Sequence, residues 1–154
     1  MDRIEQLRRV ELFQSLKDRA LERVASIAHE ETYPTHANIF QHGDVGDKVY
    51  LILDGRVRIA RQVPGMGEEA LAVLGPGQVF GEMALLDESP RSADALAHES
   101  CRLLAISKED LDDLLFQDKE LAYEVLWSTV HMLVGRLRNT NDKLTLLGIS
   151  GRFS

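Results

Sequence analysis

Val49-Tyr50-Leu51-Ile52-Leu53-Asp54-Gly55-Arg56-Val57-Arg58-Ile59 is the stretch on which the fold turns. A short apolar run ends in Asp-Gly, a dipeptide suited to the positive φ angles of a tight hairpin. Beyond the turn, Val57 and Ile59 alternate with Arg56, Arg58 and Arg61, the two-residue period of a half-buried strand. Similar texture extends from about residue 34 to 107. Ile39-Phe40 precedes a turn at His42-Gly43-Asp44, and further strands are expected at 70–74, 93–97 and 101–106. Many short strands at regular intervals point to a small sandwich or jelly-roll barrel.

Helical patterns flank this β region. Leu7, Val10, Leu21, Val24, Ile27 and Ala28 recur at three- and four-residue spacing, so residues 1 to about 30 read as helical. Leu12-Phe13-Gln14-Ser15-Leu16 interrupts them, and Ser15 is placed to cap a helix beginning near Lys17. On the other side, Ser107 with Asp110 three residues later resembles a capping pattern. A short helix follows, and Gln117-Asp118 leads into a longer one. Between 119 and about 147 there is no proline and no glycine except Gly135. At ~1.5 Å per residue that helix is roughly 43 Å long, more than a small barrel needs to cover itself. The expected fold class is α+β, mainly β: a double-stranded β-helix or jelly-roll barrel with N-terminal helices and a long C-terminal helix. The expected division is 1–118 for the barrel with its helices and 119–154 for the long helix and a short tail.

Read in heptads, the long helix has a seam of Tyr123, Leu126, Val130, Leu133, Leu137, Thr140, Leu144 and Leu147. Only Thr140 is neither apolar nor aromatic. Such a seam favours a two-stranded coiled coil, hence a homodimer. Trp127 and Val134 widen the apolar face, so part of the helix must pack on its own barrel. A polar seam residue costs stability unless it finds a partner, which singles out Thr140.

Composition narrows the field. With 154 residues, 44% hydrophobic and 28% charged, the chain has the makings of one compact domain plus an appended element. A formal charge of −7 speaks against a general nucleic-acid binder but leaves room for a small anion held by one arginine. Cys101 is the only cysteine, set in an apolar run, and reads as a small core residue. The N-terminus lacks the apolar stretch of a signal peptide, and no segment approaches the ~20 apolar residues of a membrane span. The cytoplasm is the expected compartment, with no membrane contact.

Phe80-Gly81-Glu82-Met83-Ala84-Leu85-Leu86-Asp87-Glu88-Ser89-Pro90-Arg91-Ser92-Ala93 carries the chemistry. Gly75, Gly77 and Gly81 allow close backbone approach. Residues 82–86 can form one helical turn whose free N–H groups favour an anion. Arg91 offers a planar fork of donors suited to phosphate, and Glu82 can accept from a sugar hydroxyl. Spacing alone does not separate a site from a structural ion pair.

The segment resembles the phosphate-binding cassette of the cyclic-nucleotide-binding domain family, found in bacterial catabolite-type regulators, cyclic-nucleotide-dependent kinases and gated channels. That cassette reads roughly Phe-Gly-Glu-Leu-Ala-Leu, a variable stretch, then Pro-Arg-Ser/Ala/Thr-Ala; here Met83 replaces a leucine. Gly43-Asp44-Val45-Gly46-Asp47-Lys48-Val49-Tyr50, on through Val57, resembles the family's first turn and strand pair. Leu74-Gly75-Pro76-Gly77-Gln78-Val79-Phe80 resembles the approach to the cassette. The resemblance implies that Arg91 pairs with the cyclic phosphate and that Glu82 accepts from the ribose 2′-hydroxyl. It implies backbone N–H contacts around Gly81, Met83 and Ala84, and contacts from Ser92 and Ala93 to phosphate oxygens or the base edge. Ile59, Leu71 and Ala72 fall where the family lines the base pocket. The segment from Arg136 to Lys143 resembles the dimer helix of the catabolite-type regulators, in which a Thr-Ser pair from two subunits touches the adenine. Thr140 matches the threonine, and Asn141 stands in place of the serine. The implied ligand is cAMP, with Ser92 also compatible with cGMP.

Three rival readings remain. A metal-binding cupin enzyme would need converging ligands, whereas His29, His36, His42, His98 and His131 include no His-x-His pair. A DNA-binding regulator would place a helix-turn-helix after the long helix, and only residues 148–154 follow Leu147. They read as a hinge that stops short, in a free-standing sensor or a regulator cut there. A fold kept only for protein contacts, with an empty pocket, conflicts with the charges of Glu82 and Arg91. The expectation is a non-enzymatic sensor for a cyclic nucleoside monophosphate, relaying to an unidentified protein partner without touching nucleic acid.

Overall fold

The hairpin at Asp54-Gly55 joins two sheets. Its first strand, β3 (Lys48–Asp54), lies in a four-stranded sheet of order β1-β8-β3-β6; its second, β4 (Val57–Val63), lies in another of order β2-β7-β4-β5. The structure, a computed structural model, describes residues 2–146, apart from the side chains of Ala84 and Leu85. The remaining strands are β1 (Ala28–Tyr33), β2 (Asn38–Phe40), β5 (Gly67–Leu74), β6 (Val79–Phe80), β7 (Asp94–Ala97) and β8 (Cys101–Ser107). Each recorded pairing is antiparallel. This is the jelly-roll arrangement of two sheets, flanked by α1 (Arg3–Arg8), α2 (Asp18–Ala25), α3 (Lys108–Gln117) and α4 (Lys119–Leu146).

The apolar run of β3 is explained by a sheet buried on both faces. Val49 and Leu51 join a cluster with Leu7, Phe13, Leu21 and Val24 from the N-terminal segment and Leu121, Val125 and Met132 from α4. Tyr50 and Ile52 point the other way, into a cluster with Phe80, Ala95, Ala97 and Leu103 between the sheets. The hairpin turn leaves no choice of residue. Gly55 has φ +83°, and a Cβ there would stand 2.2 Å from the Ser100 carbonyl oxygen.

The N-terminal third departs from its helical reading. α2 stops at Ala25, and Ala28–Tyr33 is a strand paired along β8 from Ala28–Ile106 to Tyr33–Cys101. Its sequence, Ala-His-Glu-Glu-Thr-Tyr, has no apolar alternation because it is largely exposed. Ser15 is not a cap. The N-cap of α2 is Lys17, which makes no side-chain bond, and Asp18 supplies the favourable charge in the first turn. Ser15 lies too early to reach those amides, and its hydroxyl is 3.5 Å from that of Ser128 on α4. Ser107 does cap α3, accepting from the Asp110 amide at 3.1 Å.

α4 has two characters. Leu121, Val125, Thr129 and Met132 are buried on the barrel side, and Leu133 packs partly against the same cluster. The seam residues Tyr123, Leu126, Val130, Leu137 and Leu144 are exposed in a single chain, as are Trp127 and Val134. Thr140 is exposed as well. Leu147 and the tail 148–154 lie outside the described residues.

Candidate functional site

The chain leaves β6 through Gly81, whose φ of +74° turns it into a short 3-10 turn at Glu82–Leu85. Glycine is required here for a second reason. A Cβ at position 81 would lie 2.8 Å from Nη1 of Arg91. The expected helical turn is therefore present in tighter form, and it opens against the arginine.

Arg91 is held chiefly by main chain. Its own N–H donates to the Asp44 carbonyl and its carbonyl accepts from the Gly43 N–H, both at 2.8 Å, tying it to the β2–β3 loop. Its guanidinium donates through Nη2 to the Lys48 carbonyl at 2.6 Å and through Nη1 to the Gly81 carbonyl at 3.1 Å. Only 7% of the residue is exposed, and Nε has no partner among the described residues. Burial pulls the guanidinium below its ordinary value, opposed by Tyr50, Asp47, Asp44 and Glu82. Arginine stays charged all the same. A buried cation bordering a cavity fits a small anion.

Glu82, also 7% exposed, is held differently. Its carboxylate pairs with Arg136 on α4. Arg136 also donates to Oε1 of Glu11 at 3.2 Å, and the same Glu11 oxygen accepts from the Val79 N–H at 3.2 Å. The same Arg136 nitrogen, Nη2, also donates to the Val79 carbonyl. The N-terminal segment, the cassette and α4 thus share one arginine. Sequence reading missed it; the available signal was its place one turn before Thr140 on the same helical face.

These groups border one cavity of about 440 Å³, within the range of small-molecule sites. Ile59, Leu71 and Ala72 form an apolar wall; Phe80, Gly81, Glu82, Met83, Arg91, Ser92 and Ala93 form the cassette side. α4 closes it with Arg136, Asn139, Thr140 and Lys143. Thr140 Oγ donates back to the Arg136 carbonyl at 3.1 Å. Asn141 does not border this cavity; it is exposed on the helix. Ala84 contributes backbone to the turn. Among the described residues, no three His, Cys, Asp or Glu side chains gather as metal ligands, and no helix is long and apolar enough to cross a membrane.

The fold and the cavity define a jelly roll in which a buried arginine and a buried carboxylate line one pocket beneath a helical cover. The family model described as the cyclic nucleotide-binding domain matches residues 30–118, more than half of the chain. The chain belongs to the cyclic nucleotide-binding domain family. It is 39% identical over 136 residues to the cyclic AMP receptor protein of Thermus thermophilus, covering 88% of this chain and 61% of that protein. Among solved structures, a cyclic nucleotide-binding domain from Methylobacillus flagellatus superposes with TM-score 0.82 at 27% identity, covering 93% of this chain and 80% of that one. The regulatory domain of Toxoplasma gondii PKA, solved with cAMP, gives TM-score 0.66 at 28% identity over 73% of this chain and 42% of that one. The chain spans 61–62% of the length of the first curated relatives it matches.

Proposed function

We propose that this chain is a non-enzymatic cytoplasmic sensor that binds a cyclic nucleoside monophosphate, cAMP before cGMP. The observation that carries the reading is Arg91, buried and charged, lining one cavity together with the buried Glu82. A cyclic phosphodiester brings a single negative charge for that guanidinium, and the ribose 2′-hydroxyl donates to the free oxygen of Glu82. Gly81, Met83 and Ala84 offer backbone N–H groups, while Ser92 and Ala93 stand at the phosphate or base edge. The base rests among Ile59, Leu71 and Ala72, with Thr140 above it. Isothermal calorimetry with cAMP, cGMP and a cyclic dinucleotide tests this. Heat with cAMP is expected; silence with all three overturns the assignment.

The exposed stripe on α4 supports a homodimer, and Asn141 reaches a pocket only from a second subunit in this reading. Light scattering should give twice the chain mass. Residues 1–118 act as the binding unit and 119–154 as cover and dimer element, repositioned by the ligand to change a surface that a protein partner meets. A second reading is favoured by the 61% coverage of a longer receptor protein: the sensor half of a DNA-binding regulator. In either case this chain alone should give no specific gel shift with promoter fragments.

A further inference from the structure

Phe40, in the edge strand β2, places its ring beneath the Arg91 guanidinium, 4.1 Å from centroid to Cζ. Tyr50 on β3 presents a second ring to the same group at 6.0 Å. The rings brace one another: Tyr50 and Phe80 stack at 5.0 Å, and Phe40 lies 6.0 Å from each. Arg91 is thereby fixed in two independent directions. The Lys48 and Gly81 carbonyls fix it within the guanidinium plane, and Phe40 fixes it perpendicular to that plane. The two carbonyl bonds alone would leave the plane free to rock about the line joining the two oxygens. A guanidinium is weakly hydrated and stacks well on an aromatic face, so the ring also takes the place of water lost on burial.

We propose that Phe40 is a positioning residue for the bound anion, its π-face setting the plane of the Arg91 guanidinium where that residue borders the cavity. The inference rests on the cyclic-nucleotide reading of the cavity. It goes further by assigning part of the phosphate affinity to the electrons of a ring outside the cassette. Phe40 also borders the cavity, so simple contact and shape must be separated from the quadrupole.

Graded fluorination of the ring makes that separation, because fluorine drains the π-face while nearly preserving size. The full 154-residue chain is prepared with Phe40 replaced by mono-, di- and trifluorophenylalanine, and as Phe40→Tyr and Phe40→Leu. The dissociation constant for cAMP should rise stepwise with fluorine count, while Phe40→Tyr stays within about twofold of the parent. Phe40→Leu should lose roughly 10- to 30-fold, matching a desolvated cation–π contact. A flat fluorine series overturns the proposal and leaves Phe40 as packing, even if Phe40→Leu binds poorly. Should Phe40→Leu fail to fold, the fluorinated chains decide alone. Absence of binding by the parent chain overturns the site reading as well, whereas parent binding with a flat series overturns only this inference.

Discussion

The two buried charged groups that line the cavity are held by opposite means. Arg91 is secured by the carbonyls of Lys48, Gly81 and Asp44 and by the Gly43 N–H, all main chain of the barrel and its loops. Glu82 is secured by a side chain, Arg136, which arrives from α4 and leans on Glu11. Main-chain contacts cannot be exchanged without moving β3 or the loops that carry them, whereas a side-chain pair can break by rotamer changes alone. The anion end of the cavity is therefore a fixed anchor. The Glu82 side is held jointly with the helix that covers it. A ligand that spans both ends must bind the barrel and bias the helix at once.

The largest test of this contrast is Arg91→Ala. By analogy with deleting one partner of a buried charge pair, it should cost about 3–5 kcal/mol of nucleotide affinity by calorimetry. In the absence of ligand it should leave hydrogen exchange along α4 nearly unchanged. Arg136→Ala should cost less affinity, about 1–3 kcal/mol, since it removes a support for Glu82 and not the anion contact. It should instead speed exchange in the second half of α4 without ligand. If both variants alter α4 alike, the division into anchor and shared end is wrong.

The smallest effect concerns the root of α4. Asp118 accepts from the Leu121 amide at 3.1 Å and from Arg23 at 3.0 Å. The amide bond, with help from Arg23 and against some desolvation, holds its carboxyl below the ordinary 3.8. A folded-state value below the unfolded one stabilises above the unfolded value, and that stability is lost as pH falls through the folded value. Asp118→Asn keeps a capping oxygen and removes the charge. Its melting temperature should fall slightly below the parent's at neutral pH, and the gap should close in acid beneath 3.8. A gap that persists there would assign the effect to cap geometry instead.

Where the sequence has a period, it was legible. The hairpin at Asp54-Gly55, the strands on either side of it, the Ser107 cap and the length of α4 all follow from local pattern. β1 was not legible, because Ala-His-Glu-Glu-Thr-Tyr pairs through its backbone along β8 while much of it faces solvent. Its existence depends on a partner strand some seventy residues away, which no local window contains. Phe80, Gly81, Glu82, Met83, Arg91, Ser92 and Ala93 were legible through resemblance and meet in one cavity, with Asn141 outside it. Arg136 and Phe40 were not. Their importance comes from tertiary neighbours at Glu82, Glu11 and Arg91; Arg136 had only its place one turn before Thr140 to mark it, and Phe40 had no local mark.

Cys101 carries one more consequence. It is the sole thiol, 3% exposed, at the start of β8 opposite Tyr33 and beneath the Gly55 turn, and burial pushes its pKa up. A thiolate can form readily only when the strands part, so alkylation of the native chain is a clock for opening of the joint between the sheets. Because a ligand that binds only the closed form slows that clock by mass action, the molecule contains its own chemical readout of occupancy, without any engineered probe.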